Sequence, residues 1–454
     1  MPFGTVSRAD TLRFAFQGIA PMIDPKSVHS TLEAAQLADG YSLVMDLEKS
    51  HGVFMHDSRT DQDYLDMFTN FASWPVGYAH PMMADASFLK ELTLAAQTKV
   101  ANSDIYTTQM ADFVHAFSTR VTPSNYKHHF WVSGGSLAVE NALKVAFDWK
   151  AQKVGVDKVN DGNDLTVLHF KGAFHGRSGY TMSLTNTDPR KIALFPKFDW
   201  PRVSTPSIEF DTDGKISNDV QALERAALAE IDAAFEASGN RIACIILEPM
   251  QGEGGDNYFR TEFLSALRKV ADDREALLIF DEVQTGFYGS GRTWLWQHHG
   301  VEPDIVCFGK KTQVCGIYAN ARVDEIADNV FHASSRINST WGGSLVDMVR
   351  CRRFIEIIES ENLAENVTAR GDEFVSGLRG LAKEHSGISN VRGVGSLVAF
   401  TLDTPVARDK MLADLYGKQF LALASGEKAV RFRMPLVISS AEVGEALSRI
   451  ADCL

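Results

Sequence analysis

Five short apolar runs, at 129–132, 165–170, 242–247, 277–280 and 305–308, each stop at polar or glycine residues, and this rhythm governs what the chain can fold into. Each run is of strand length, and none alternates in the way of a half-solvated strand, so both faces of each strand must be covered. Helical stretches separate them. Residues 137–150 place Leu137, Ala138, Ala142, Val145, Ala146 and Trp149 on one stripe, and 263–270 continue that style. Strands alternating with helices predict an α/β fold on a largely parallel sheet, with ligands outside the carboxyl ends of its strands.

The two ends of the chain read differently. A hairpin-like region lies at 44–57. Beyond about residue 345 come helices at 346–359 and 367–384, then strand-like pieces at 395–402 and 429–436. The expected organisation is a large central domain over 76–344 and a smaller α+β domain built from both termini, 1–75 and 345–454.

Composition narrows the function. The 454 residues carry 45 Lys+Arg against 58 Asp+Glu, a net charge of −13, without the concentrated basic surface that nucleic acid requires. Five scattered cysteines without a C-x-x-C pair fit neither a disulfide framework nor a zinc site, and point to the reducing cytosol. The opening MPFGTVSRADTLRFAFQG lacks the basic start and apolar core of a targeting segment, and no run approaches a membrane span. A cytoplasmic protein without membrane partners is expected.

The residues just after the strand runs are Ser133-Gly134-Gly135-Ser136, Gly172 to Arg177, Glu248 to Gly255, Asp281 to Gln284, and Gly309-Lys310. A parallel sheet brings them to one rim. Pyridoxal phosphate uses all of these residue types: a lysine amine for a Schiff base, an acid for its ring nitrogen and an anion site for its phosphate. The Gly-Gly-Ser turn before the helix suits the phosphate, since free N–H groups and the helix dipole face it. Asp281 emerges from a buried strand where an unpaired charge is costly. Lys310 follows 29 residues later, about one βαβ unit. Taken singly, each has a plainer explanation: a strand-to-helix turn, a surface acid, a solvated lysine pair. Spacing alone does not separate Lys310 from Lys311; neighbours in an extended segment face opposite ways, so only one of the two can reach the ring.

Together with SGGSLAVENALK (133–144), FHGRSGYT (174–181), ILEPMQGEGGDNYF (246–259), LLIFDEVQTGF (277–287), PDIVCFGKK (303–311), NSTWGGS (338–344) and VRFRMPL (430–436), these residues make the chain resemble the class III pyridoxal-phosphate aminotransferases of fold type I over nearly its whole length. The stretches LDMFTNFAS (65–73), FHGRSGYTMSLTNT (174–187), FPKFDWPR (195–202), FGKKTQVCG (308–316) and INSTWGG (337–343) are most similar to members that act on the terminal amine of lysine. The resemblance implies a mostly parallel seven-stranded sheet in the large domain, pyridoxal 5'-phosphate as cofactor and a homodimer with a shared active site.

It also implies roles. Lys310 would hold the cofactor and shuttle the proton, Asp281 would bind the ring nitrogen, Gln284 the ring hydroxyl, and Phe174 would stack on the ring. Gly135 and Ser136 would hold the phosphate, with Thr340 reaching it from the partner subunit. Arg431 would clamp the α-carboxylate of 2-oxoglutarate and Arg177 the distal one, a bidentate task suited to guanidinium. Glu253 would pair with Arg431 while an ω-amine is bound and swing away for 2-oxoglutarate, so that Arg431 is not left buried and unpaired. The segment Trp74 to His80 brings bulk to the substrate entrance where relatives carry small residues.

The implied reaction moves the ε-amino group of L-lysine to 2-oxoglutarate, giving 2-aminoadipate 6-semialdehyde and L-glutamate. The rivals are another ω-amine (ornithine, 4-aminobutyrate or a diamine) and a fold-sharing binding protein without catalysis. Other chemistries lack their motifs. Gly286 to Thr293 is one residue short of a phosphate-binding loop, there is no G-x-S-x-G or H-E-x-x-H, and the pairs His128-His129 and His298-His299 lack helical metal spacing, so no metal is expected.

Overall fold

The structure, a computed structural model, describes residues 23–155 and 165–454. The first 22 residues of the expected N-terminal segment lie outside the described residues.

Seven strands form the large sheet: β1 (Tyr126–Val132), β2 (Thr166–Phe170), β3 (Arg202–Val203), β4 (Ile242–Leu247), β5 (Leu277–Asp281), β6 (Ile305–Phe308) and β7 (Cys315–Asn320), in the order β1-β7-β6-β5-β4-β2-β3. Pairing is parallel except at β7, which runs against both neighbours. The fold class is therefore α/β with a mostly parallel sheet. The five expected apolar runs are β1, β2, β4, β5 and β6. Sequence reading missed β7, which returns directly from the turn after Lys310, and β3, which is two residues long.

Burial on both faces follows from residue alternation. Leu277, Ile279, Ile305 and Cys307 pack against Ala138, Ala142, Val145 and Trp149 of helix Gly135–Lys153. Leu278, Phe280, Val306 and Phe308 enter the opposite cluster with Phe263 and Leu267 of helix Thr261–Asp273 and Phe354 of helix Leu345–Ser360. Burying one such side chain stabilises by about 1.5–3 kcal/mol, and these are almost wholly inaccessible. The cost of moving any strand fixes where its carboxyl end lies.

A second sheet, β8 (Ile388–Val394), β9 (Leu397–Leu402), β10 (Leu423–Ser425) and β11 (Ala429–Arg433), is antiparallel in the order β8-β9-β11-β10. Near the other end of the chain, the hairpin-like region expected at 44–57 is displaced: the hairpin pairs Phe54–Asp57 with Gln62–Asp66, and residue 45 contributes only an isolated bridge. This hairpin joins Phe420–Leu421 in a three-stranded sheet, so early and late parts of the chain pair directly. Among the described residues no helix is long and apolar enough to cross a membrane.

Candidate active site

The carboxyl ends of β1, β2, β4, β5 and β6 surround a cavity of about 310 Å³ lined by Gly135, Ser136, Phe174, Arg177, Glu253, Asp281, Gln284 and Lys310, with His175, Gly176, Glu248 and Val283. Eight of the residues singled out by sequence therefore share one cavity. Arg431 borders the adjoining outer cavity, which Glu253 also lines. Thr340 lines neither; it is exposed, and its carbonyl accepts from Ser103 Oγ at 3.0 Å.

Parallel registry explains the acid and the amine. Cys307 of β6 lies opposite Asp281 of β5, so the turn that starts at Gly309 carries Lys310 past the Asp281 carboxylate. Asp281 is buried and oriented from two sides. Its Oδ2 meets His175 Nδ1 at 2.8 Å, and its Oδ1 accepts from Val283 N at 3.0 Å. His175 Nε2 is buried without a partner. Sequence reading assigned His175 no role, although it stands beside Phe174; a histidine with no helical or strand pattern around it carried no signal.

The twin lysines part company here. Lys310 sits in the left-handed region at φ 53°, a strained geometry for a residue other than glycine that costs about 1–3 kcal/mol and clusters at functional sites. Its ammonium forms no ion pair among the described residues, and burial, with Arg431 and Arg433 nearby, pushes its pKa down to about 8. Lys311 points away from the cavity and donates to the carbonyl of Gln284 at 2.7 Å. Burial first, then Arg433 and Lys310, pushes it down to about 7.

At the other end of the cavity, helix Gly135–Lys153 begins at the glycines. Gly134 has φ 117°, and a Cβ on Gly135 would meet Val283 Cγ1 at 2.8 Å. Ser136 Oγ lies 2.5 Å from Ser178 Oγ and 2.9 Å from Thr181 Oγ1, while Glu140 Oε1 accepts from Ser178 Oγ and from Thr181 N. The arrangement leaves a side-chain-free helix terminus facing the cavity, which suits a phosphate.

Glu248 was read only as part of a strand-end stretch. It accepts from Phe174 N at 3.0 Å and Gly252 N at 2.9 Å. Burial raises its pKa to about 7, against the opposing pull of His175.

The charges around Gln284 come from the second sheet. Arg431 and Arg433 leave the same face of β11 and both donate to Gln284 Oε1, at 2.9 and 2.7 Å. Arg433 forms a fully buried pair with Asp256, 2.7 and 2.8 Å. Among the described residues Arg431 has no carboxylate partner and its Nε no hydrogen-bond partner, and burial beside Arg433 pushes its pKa down to about 10. Glu253 is not on Arg431: its carboxylate pairs with Lys191 and accepts from Thr187 Oγ1 at 2.9 Å. Arg177 is exposed at the mouth and unpaired among the described residues.

Two other features differ from their plain reading. Trp74 packs edge-on against Phe354, donates to Gly77 O, and lines neither cavity. His128 is tied to Asp324, whose Oδ1 also meets His332.

The residues fit pyridoxal phosphate on the structure's own evidence: a helix terminus opened by glycines, a carboxylate held by two partners and an amine without an ion pair among the described residues all line one cavity. The comparisons agree. The class-III aminotransferase family profile matches residues 37–454. An L-lysine-epsilon aminotransferase of Mycobacterium tuberculosis is 46% identical over 432 residues, 95% of this chain and 96% of its own, and one of Streptomyces clavuligerus is 46% identical over 430 residues, covering 94% of each. The solved structure of a lysine aminotransferase from M. tuberculosis superposes with a TM-score of 0.91 at 46% identity, over 95% of this chain and 99% of that one. The chain belongs to the class III aminotransferases and is a pyridoxal-phosphate-dependent transaminase.

Proposed function

We propose that this enzyme transfers the ε-amino group of L-lysine to 2-oxoglutarate, releasing 2-aminoadipate 6-semialdehyde and L-glutamate in two half-reactions. One observation carries it: of two guanidinium groups without a carboxylate partner among the described residues, Arg177 lines the cavity that holds the Lys310 amine and Arg431 lines the outer cavity that adjoins it at Glu253. A site of that kind takes a dicarboxylic acceptor, one carboxylate to each arginine. The two L-lysine-epsilon aminotransferases, 46% identical, support lysine as donor.

Pyridoxal phosphate, when bound, supplies a protonated ring that withdraws electrons from the carbon losing its proton. Gly135 and Ser136 would hold the phosphate through N–H groups and a hydroxyl. Asp281, fixed by His175, would keep a proton on the ring nitrogen, and Gln284 would contact the ring hydroxyl through its amide nitrogen, its oxygen being taken by the arginines. Phe174 would stack on the ring. Lys310 Nζ takes the proton from the substrate carbon; a pKa near 8 leaves part of it neutral at physiological pH, as a general base requires. Arg177 and Arg431 orient the carboxylates, and Glu253 neutralises Arg431 when the amine donor leaves it without a partner.

We place the active form as a homodimer in which the exposed Thr340 meets the neighbouring subunit's phosphate site, and locate it in the cytosol. Five free cysteines, four of them buried, support a reducing compartment. The test of the reaction is kcat/KM for lysine, ornithine and 4-aminobutyrate with 2-oxoglutarate, with the cyclised product identified by mass. Lysine is expected to lead; ornithine ahead by tenfold, about 1.4 kcal/mol of discrimination, overturns the donor.

A further inference from the structure

Glu253 stands where the inner cavity meets the outer one, and it has two cations to choose between. Arg431 is close enough for the two charges to act on each other. Lys191 holds the contact instead. It ends the short turn Pro189–Lys191, whose geometry is set by the Asp188 side chain accepting from Arg190 N, and its ammonium also sits 5.7 Å from the centre of the Phe174 ring. Glu253 and Lys191 are both partly shielded, 23% and 31% exposed in their side chains, so their attraction is less screened than that of a surface pair. Thr187 Oγ1 donates to the same carboxylate oxygen and steadies the choice.

We propose that Lys191 is a positioning residue that holds Glu253 in its position away from Arg431, the arrangement that receives the dicarboxylate. The inference rests on the reading of Glu253 and Arg431 given above and adds the partner that sets their balance. With Glu253 on Lys191, Arg431 is open to an incoming α-carboxylate. When an amine donor without a carboxylate at that end is bound, Glu253 must leave Lys191 to cover Arg431. Lys191 therefore favours the acceptor half-reaction at the expense of the donor half-reaction, and removing it shifts the two in opposite directions. A merely structural lysine moves both the same way.

The experiment compares the holoenzyme with Lys191→Ala, Lys191→Arg and the double variant Lys191→Ala/Glu253→Gln. Binding of glutarate, a non-reacting dicarboxylate, is measured by calorimetry, and each half-reaction is followed separately in single turnovers. In Lys191→Ala the glutarate Kd is expected to rise about threefold to fivefold, the scale of a partly exposed charge pair, while kcat/KM of the amine half-reaction rises. Lys191→Arg is expected to restore both, and the double variant to regain glutarate affinity because the released carboxylate is gone. Unchanged glutarate affinity in Lys191→Ala, or parallel losses in both half-reactions, overturns the proposal. So does a double variant that binds glutarate more weakly than Lys191→Ala. Glutarate reports on Arg431 whichever amine the enzyme uses, so a failed lysine assignment leaves this test standing.

Discussion

The inner and outer halves of the active site are built by different means. Asp281, Lys310, Gly135 and Ser136 all sit at ends of strands or turns of one sheet whose faces are packed by helices. Their spacing is fixed by strand registry. Glu253, Lys191, Gln284, Arg431 and Arg433 come from loops and from the second sheet, and are held by exchangeable charge contacts. Rigid packing suits a proton transfer whose geometry must not vary. Exchangeable pairs suit a pocket that must accept two substrates of different charge in turn.

The sharpest way to break this contrast is at the paired lysines. Lys310→Ala is expected to lower kcat roughly 10^4-fold, with melting temperature little changed, because its ammonium has no hydrogen-bond or ion-pair partner among the described residues to lose. Lys311→Ala should do the reverse. It removes a buried donor to the Gln284 carbonyl and the cation beside buried Glu282, so stability falls while turnover declines far less. Equal kinetic losses in the two variants would mean that both lysines serve the chemistry. A second break tests the join between halves. Arg433→Met leaves Asp256 buried and unpaired, a loss of about 3–5 kcal/mol, read by denaturant unfolding. It also frees Gln284 Oε1 from one of its two guanidinium donors. A loss below 1 kcal/mol would show that the second sheet is not pinned there.

The same contrast decides how much was legible in the sequence. Asp281 and Lys310 follow apolar runs that needed both faces covered, so their place at one rim was readable from periodicity and from a spacing of one βαβ unit. Even the choice between Lys310 and Lys311 needed the family resemblance, because alternation says that one of the two faces the cavity but not which, and the tight turn Lys310–Thr312 begins at the first of them. β7 escaped notice since it starts within a few residues of that turn. The outer half was less legible for a plain physical reason. Lys191 and Glu253 are 62 residues apart, and Gln284 and Arg433 149 apart, with no periodicity linking them. Whether an arginine on a strand such as β11 faces solvent or a cavity depends on what packs against it. The Glu253 contact shows the limit: resemblance supplied Arg431 as its partner, and local geometry gave it Lys191.

The smallest expected effect sharpens the comparison at Glu248, which belongs to the inner half yet carries an exchangeable proton. Its pKa is raised from an ordinary 4.5 to about 7, chiefly by burial. The native state therefore holds a proton that the unfolded chain has already released, so stability contributed by this group falls as pH rises from about 4.5 and is fully lost above about 7. Glu248→Gln cannot ionise, but its amide nitrogen cannot accept, so it keeps only one of the two hydrogen bonds from Phe174 N and Gly252 N. In protein stripped of cofactor, the variant should be less stable than the parent near pH 4.5 by about 1 kcal/mol, the lost hydrogen bond, and should gain on it by roughly 3 kcal/mol as pH rises past 7, measured by urea unfolding across that range. With cofactor bound the gap should narrow, because a positively charged ring beside Asp281 favours ionised Glu248. A gap that is constant with pH would mean that Glu248 acts only through its two backbone hydrogen bonds, and that the inner half is as fixed in charge as it is in geometry.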